Sequence, residues 1–353
     1  MSGTIESRKG DHIRLACTED VEAPLWQGGA FAGVELIYQA FPEMDRAQID
    51  TSVELLGKKL RYPFLIGSMT GGTEEARLIN FRLAEAADHC GVGMCLGSQR
   101  VMIEKPETSP SFQVREKAAD MLLLANIGAV QLNHGVGVQE LSSLVQEVDA
   151  DGLIFHMNAA QEAIQPEGDT NFSGILQKLA SVIPQLDFPC GVKEVGSGFS
   201  RRAAQALDEL PLAFIESAGR GGTSWTLLEG LRASDSDTQR MGRLFADWGV
   251  PSVTSLMNCV QETEGVPVIA SGGVRSGLDV AKSIALGATV AASARPMILA
   301  ARDSVEAIVR EIEFFGSSLR NAMFLSGAKD LDALRKAPTR VLQSLAPGKR
   351  EEF

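Results

Sequence analysis

What this chain has little of narrows its class first. Aromatic residues are only 6% of the composition, and no uninterrupted apolar run approaches the ~20 residues that cross a bilayer, so a membrane-spanning role is not expected. Residues 1–11 hold neither an apolar core nor a small-residue cleavage site, and export by a signal peptide is not expected either. Cysteine is scarce. Cys17, Cys90, Cys95, Cys190 and Cys259 are odd in number and lack zinc-ligand spacing, which points to reduced thiols in a cytoplasmic protein rather than to a disulfide framework. Positive charge is in deficit, and the net charge of -12 argues against general nucleic-acid binding. Any anion site has to be built locally.

What is present is a soluble globular composition, 44% hydrophobic and 22% charged, over 353 residues. Residues 1–60 read as an N-terminal arm and lead-in packing on the remainder of the chain, with turns near 41–45 and 49–52. From Pro63 onward a rhythm sets in: a short apolar run, a glycine or polar tip, then a stretch of helical periodicity. The apolar runs are 64–68, 92–97, 122–127, 153–157, 190–195, 214–217, 266–270 and 289–294. Helical patterns between them include 74–89, 139–148, 175–183, 200–208 and 278–286. Eight strands alternating with helices imply parallel pairing through right-handed crossovers, and eight such units close into an α/β fold, the (β/α)8 TIM barrel, here spanning 61–345.

One connection breaks the rhythm. The polar stretch 231–241, between the sixth and seventh strands, is too long for a tight turn, and the region 226–250 is expected to be a lid-like insertion. An amphipathic helix is expected over 305–315, and residues 346–353 read as a polar tail.

In a barrel of this class the site lies at the C-terminal ends of the strands, so every tip matters. The fourth strand runs into His156, Asn158, Gln161, Glu162, Glu167 and Asp169, a crowd of polar groups that is either a solvated loop or a site. The other tips are similar: Ser68-Met69-Thr70-Gly71-Gly72, Gly97-Ser98-Gln99-Arg100, Asn126-Ile127-Gly128, Lys193-Glu194-Val195-Gly196, Gly221-Gly222-Thr223-Ser224-Trp225, Ser271-Gly272-Gly273-Val274-Arg275 and Ser293-Ala294-Arg295-Pro296. Their convergence on one mouth favours a site. The glycine-rich run 271–277 before a helix, together with Ala294-Arg295, has the form of a phosphate site, where glycines let backbone N–H groups approach an anion. Thr70, Ser98, Asn126 and Lys193 offer the hydrogen bonds and charge that a flavin ring needs along its edge.

Taken together, Arg8-Lys9-x-x-His12, Met69-Thr70-Gly71-Gly72, Gly97-Ser98-Gln99-Arg100, His156-x-Asn158-x-x-Gln161-Glu162, Val192-Lys193-Glu194-Val195-Gly196 and Ser271-Gly272-Gly273-Val274-Arg275-x-Gly277 resemble the type 2 isopentenyl-diphosphate isomerases, in order, from Arg8 to about Pro296. The resemblance implies a barrel enzyme that uses FMN to interconvert isopentenyl and dimethylallyl diphosphate. It also implies Mg2+, a flavin kept reduced by NADPH or NADH, and a homo-oligomer, tetramer or octamer. By position, Ser68, Met69, Thr70, Ser98, Asn126, Lys193, Thr223, Gly272, Gly273, Val274, Arg275, Ala294 and Arg295 would hold FMN. Arg8, Lys9, His12, Arg100, His156, Asn158 and Gln161 would hold the diphosphate substrate, Glu162 would ligate Mg2+, and Gln161 and His156 are the candidate catalytic residues. The sixth strand departs from the family's pattern: Glu216 and Arg220 stand where a shorter acid and a small residue are usual, which brings extra charge to the expected flavin contacts.

The chemistry is consistent with these residue types. A diphosphate binds best to charge-assisted donors and a hard cation with oxygen ligands, and moving a double bond needs an acid and a base on a dry hydrocarbon. No cysteine adjoins Gln161 or His156 in sequence, so, following the resemblance, reduced FMN is expected to serve as acid and base, with Gln161 positioning the tail. Two alternatives remain at this level: an FMN-dependent 2-hydroxy acid oxidase or dehydrogenase on the same barrel, which would leave the run from Asn158 to Glu162 unexplained, and a non-enzymatic flavin-binding protein.

Overall fold

Eight short runs, buried on both faces, are the sequence signature of a sheet covered by helices outside and side chains inside, and they close on themselves. The computed structural model describes residues 5–22 and 29–342. The barrel strands are β1 (Phe64–Ile66), β2 (Gly93–Cys95), β3 (Leu123–Gly128), β4 (Gly152–Met157), β5 (Cys190–Glu194), β6 (Phe214–Glu216), β7 (Val268–Ala270) and β8 (Val290–Ser293). Each pairs in parallel with its neighbours, and β8 returns to β1, so no edge is left open.

Two apolar layers hold this arrangement. Leu65, Leu124, Ile154, Phe214, Ile269 and Val290 fill the barrel, and Gly191 leaves room for the Phe214 ring, which an added Cβ would approach to 2.3 Å. The antiparallel pair Val53–Leu55 and Lys58–Leu60 brings Leu55 and Leu60 to the same cluster and stops the end where the strands begin. The second layer lies between strands and helices. Burial of this kind stabilises by about 1.5–3 kcal/mol per large apolar side chain.

The helices in chain order are α1 (Ile5–Thr18), α2 (Glu74–Cys90), α3 (Arg100–Glu104), α4 (Val138–Glu147), α5 (Ala159–Ile164), α6 (Ile175–Val182), α7 (Arg201–Asp208), α8 (Trp225–Arg232), α9 (Ser236–Leu244), α10 (Ser252–Glu262), α11 (Gly277–Ala285), α12 (Arg295–Ala301), α13 (Val305–Leu325) and α14 (Leu331–Arg335). Their starts follow local chemistry: Thr73, Ser200, Ser224, Ser276 and Ser304 each cap with a side-chain oxygen that accepts a backbone N–H. α1, the arm, crosses the mouth of the barrel against α8 and α12.

Two expectations gain detail. The stretch 231–241 falls largely in α9, capped by Asp235 and packed on α8 so closely that a Cβ on Gly242 would lie 2.6 Å from the Gly230 Cα. Its outward face is polar, which hid the helical period. α13 continues ten residues past 315, because Gly316 is no stop: it lets the helix pass the Tyr62 ring, 2.3 Å from where a Cβ would be. The polar tail 346–353 lies outside the described residues.

Candidate active site

Strand register does the first positioning. Gly128, His156, Lys193 and Glu216 are successive Cα partners across β3, β4, β5 and β6, so their side chains share one level of the barrel mouth. Hydrogen bonds join them into a belt. Asn126 Nδ2 donates to Ser68 Oγ at 2.8 Å, and Asn126 Oδ1 accepts from His156 Nδ1 at 2.7 Å. Lys193 Nζ donates to the Glu194 carbonyl at 2.7 Å and pairs with Glu216 Oε1 at 3.4 Å, an oxygen that also accepts from Ser271 Oγ at 2.7 Å. With Nδ1 donating, the imidazole presents an unprotonated Nε2. Withdrawal of the ring from water, then the charges of Lys193 and Lys9, pull the His156 pKa down to about 3, so the ring is neutral until an anion arrives.

Two cavities flank this belt. The first encloses about 1000 Å³, and on its wall stand Ser68, Met69, Thr70, Lys193 and Glu216 on one side and Thr223, Gly272, Gly273, Val274, Arg275, Ala294 and Arg295 on the other. The second, about 920 Å³, is lined by Arg8, Lys9 and Arg100 at one end and by His156, Asn158, Gln161 and Glu162 at the other. His12, Ser68, Met69, Thr70, Lys193 and Trp225 belong to both walls, so the cavities are adjoining compartments. Every residue assigned from the sequence to flavin, substrate or Mg2+ lines one of the two cavities. Ser98 and Asn126, expected among the flavin contacts, line the second compartment and not the first.

The far end of the first cavity is cationic. Gly272 and Gly273 take φ of 93° and 79°, a conformation that favours glycine, and the loop passes into α11. Arg275 Nη2 and Arg295 Nη1 both reach Glu22 Oε1, at 2.6 and 3.2 Å, and Arg295 Nε donates to the Ala16 carbonyl at 3.0 Å. The arm thus ends on the two arginines of the expected phosphate site. Nearer the belt, Thr70 Oγ1 is buried without a partner among the described residues. Two guanidinium groups and a glycine turn for a phosphate, with an unmatched hydroxyl and an ammonium for a ring edge, fit a flavin mononucleotide. Arg220 does not intrude: it lies on neither wall, and its Nη1 donates to the Asp247 carbonyl at 3.0 Å. The extra charge of Arg220 is met by the Asp247 carboxylate; Glu216, by contrast, is on the wall.

In the second cavity Lys9 Nζ donates to the Ser98 carbonyl at 2.8 Å and lies 5.4 Å from the centre of the Phe112 ring. Loss of water, then the Arg8 charge, lowers its pKa to about 7. Glu162 is buried, Oε1 accepting from Asn158 Nδ2 at 2.7 Å and Oε2 from the Asp169 N–H at 2.6 Å, while Asn158 Oδ1 has no partner among the described residues. No group of three or more His, Cys, Asp or Glu is placed to hold a metal ion among the described residues. One carboxylate beside one free amide oxygen fits Mg2+ only if a bound diphosphate and water complete the oxygen set.

Glu229 was missed. It is fully buried on α8, and Oε1 accepts from Gln161 Nε2 at 2.8 Å and from His12 Nε2 at 3.0 Å, while Oε2 accepts from Arg232 Nε at 2.7 Å. Burial pushes its pKa up, but the hydrogen bond and charge of His12, the Gln161 amide and Arg232 outweigh it and hold the carboxyl down to about 2. His12 is therefore committed to this carboxylate and to the edge of Trp225, 5.2 Å between ring centres, more than to open space. Its only signal in the sequence is a lone acid four residues after Trp225 in an otherwise apolar helical run, within a region whose polar length suggests a lid.

Comparison with known proteins bears on what such a mouth does. Residues 242–340 match the family model described as FMN-dependent dehydrogenase. The isopentenyl-diphosphate delta-isomerase of Nostoc sp. is 44% identical over 334 residues, 95% of this chain and 95% of that one. Those of Rickettsia bellii and Pyrococcus abyssi are 42% and 41% identical, covering 95% and 94% of this chain and 97% and 91% of their own lengths. Among solved structures, mandelate oxidase with (S)-2-phenylpropionate aligns with a TM-score of 0.63 at 18% identity over 94% of each chain, a likeness of fold. A mandelate oxidase variant with benzaldehyde aligns with a TM-score of 0.65, again at 18% identity and 94% of each chain.

Proposed function

The chain belongs to the isopentenyl-diphosphate delta-isomerases, and from that premise we propose that it interconverts isopentenyl and dimethylallyl diphosphate, with FMN in the first cavity and the diphosphate in the second. The observation that carries this arrangement is the shared wall of Met69, Thr70, Lys193 and Trp225, across which a ring on one side would meet a short hydrocarbon on the other. The 2-hydroxy acid oxidase or dehydrogenase alternative rests on fold likeness and on a family match confined to residues 242–340, and is set aside. Full-length identity above 40% supports the isomerase instead.

Arg8, Lys9, Arg100 and His156 would hold the diphosphate through charge-assisted bonds. His156 would take up a proton as the anion approaches, since a nearby negative charge favours the imidazolium. Glu162, with Asn158 Oδ1, would hold Mg2+ against the same oxygens. Gln161, fixed by Glu229, would set the hydrocarbon end, and Trp225 would help keep water from it. Moving the double bond adds a proton at one carbon and removes one from another, with no net change in oxidation state. Reduced FMN, when bound, supplies the acid and base for that exchange, and NADPH from solution would keep it reduced. Thiol chemistry is disfavoured here: the Cys95 pKa is raised well above its ordinary value by burial and then by Glu216.

We further infer a homo-oligomer, tetramer or octamer, which is supported by large apolar side chains left exposed at Phe41, Leu244, Trp248 and Phe314. A cytoplasmic location is supported by five free cysteines. No described helix is long and apolar enough to cross a membrane. The arm over 1–60 and the barrel over 61–345 would fold as one unit, because α1 packs across the mouth.

The test is anaerobic incubation of the purified protein with FMN, NADPH, Mg2+ and isopentenyl diphosphate. Dimethylallyl diphosphate should appear and should require reduced flavin. Oxidation of a 2-hydroxy acid in air, without any allylic product, would return the oxidase reading.

A further inference from the structure

The Lys193–Glu216 pair is the part of the mouth that substrate binding leaves unused. The two residues face each other across β5 and β6, and their side chains are 7% and 3% exposed. Oε1 of Glu216 is shared between Lys193 and Ser271, whereas Oε2 is buried and has no hydrogen-bond partner among the described residues. A carboxylate oxygen that has left water without finding a donor costs stability, so its retention calls for an account beyond packing. Both residues stand on the wall of the first cavity.

Resting on the reading that this cavity takes FMN, we propose that Glu216 is a positioning residue that holds the Lys193 ammonium at the cavity wall and offsets its charge, so that the pair rather than a bare cation sets how readily the bound flavin is reduced. The physical case is electrostatic. Reduction adds negative charge to the ring, and in a water-poor cavity a nearby ammonium favours that addition strongly. A carboxylate 3.4 Å from the ammonium makes the pair a dipole, whose field falls away faster than that of a single charge. An isolated ammonium would also favour the anionic reduced ring, which has lost a proton that the isomerisation needs. Among the described residues Lys193 is otherwise tied only to the neighbouring Glu194 carbonyl, so Glu216 is the group there that can both orient and moderate it.

The experiment is a redox titration of FMN on the purified holoenzyme at a single pH, alongside an FMN binding titration, for the parent protein and for Glu216→Gln, Glu216→Asp and Ser271→Ala. Glu216→Gln keeps the shape but removes the charge. It should raise the ratio of reduced to oxidised bound FMN at a fixed potential at least tenfold, which is about 30 mV for a two-electron couple. Glu216→Asp should stay within about threefold of the parent. Ser271→Ala strips a donor from the carboxylate, strengthens its effect on Lys193, and should lower the ratio about threefold. A Glu216→Gln protein that binds FMN with an unchanged ratio overturns the proposal. If that variant does not fold, an unchanged ratio in Ser271→Ala does so. Failure of the parent protein to bind FMN would instead strike the functional reading on which this one rests.

Discussion

Gln161 Nε2 donates to Glu229 Oε1 at 2.8 Å, and the same oxygen receives His12 Nε2 at 3.0 Å. One buried carboxylate therefore ties the arm, the fourth strand tip and α8 together. Replacing it with Gln should leave FMN affinity within about threefold and lower turnover by about a hundredfold, the scale expected when a positioning group lets a reacting partner drift by an ångström. Stability should fall by about 3 kcal/mol, because Arg232 loses its buried partner. Single-turnover kinetics and a denaturant series on the same variant separate the two effects. Undiminished turnover would remove Glu229 from the site.

The pH dependence of stability should carry two signatures. Glu229 has a folded pKa near 2 against an ordinary 4.5, so its contribution is complete above the ordinary value and is lost as pH falls from about 5 toward 2. His156 has a folded pKa near 3 against 6.5, so between those values the unfolded chain binds a proton that the folded one refuses, and stability falls as pH is lowered through that window. Unfolding midpoints should therefore already drop between pH 6.5 and 5 in the parent protein. In His156→Asn that upper part of the slope should flatten, while the loss below pH 5 persists.

Lys9 is held near pKa 7 in the absence of an anion, so at pH 8 most of the protein carries it neutral. Binding a diphosphate should recharge it. Calorimetry at pH 8 in buffers of different ionisation enthalpy should show net proton uptake, smaller by about one proton in Lys9→Met, where only His156 remains to be charged. Equal heats after correction in both proteins would mean that the ammonium does not meet the substrate.

Arg275 and Arg295 are bridged by Glu22, a carboxylate placed where a phosphate would find its donors. Arg275→Ala should weaken FMN binding by about tenfold to a hundredfold, the range of one lost charge-assisted bond. Glu22→Gln should tighten it, since the flavin phosphate no longer competes with a carboxylate. Both are read by quenching of flavin fluorescence.

Chelation of Mg2+ should abolish substrate binding at physiological concentrations and leave FMN binding intact, and Glu162→Gln should behave like the chelated protein. A chelator that releases FMN as readily as substrate would place the cation elsewhere.

Much of the fold and of the mouth was legible in the order of residues. The eight runs are buried on both faces, which makes them nearly continuous in apolar residues, and each predicted run overlaps an observed strand. The glycine turn at 271–273 could be read because few other residues tolerate its positive φ. Illegible were features whose signal is not local. α9 shows a polar face to solvent and sits against α8 through two glycines, so neither an apolar stripe nor a cap announced it as strongly as its length suggested a lid.

By itself, then, the chain order of residue types determined the barrel, the polar tips at one end of it and the family to which the chain belongs. Which groups meet was decided only by closure of the sheet and by the packing of α1 and α8 over the mouth. Gln161 and Glu229 are 68 positions apart, and Lys193 meets Glu216 because β5 and β6 pair in one register and no other. A hydrogen bond acts over about 3 Å, and nothing in the local propensity of either residue specifies a partner that the chain reaches only one or two strands further around the barrel.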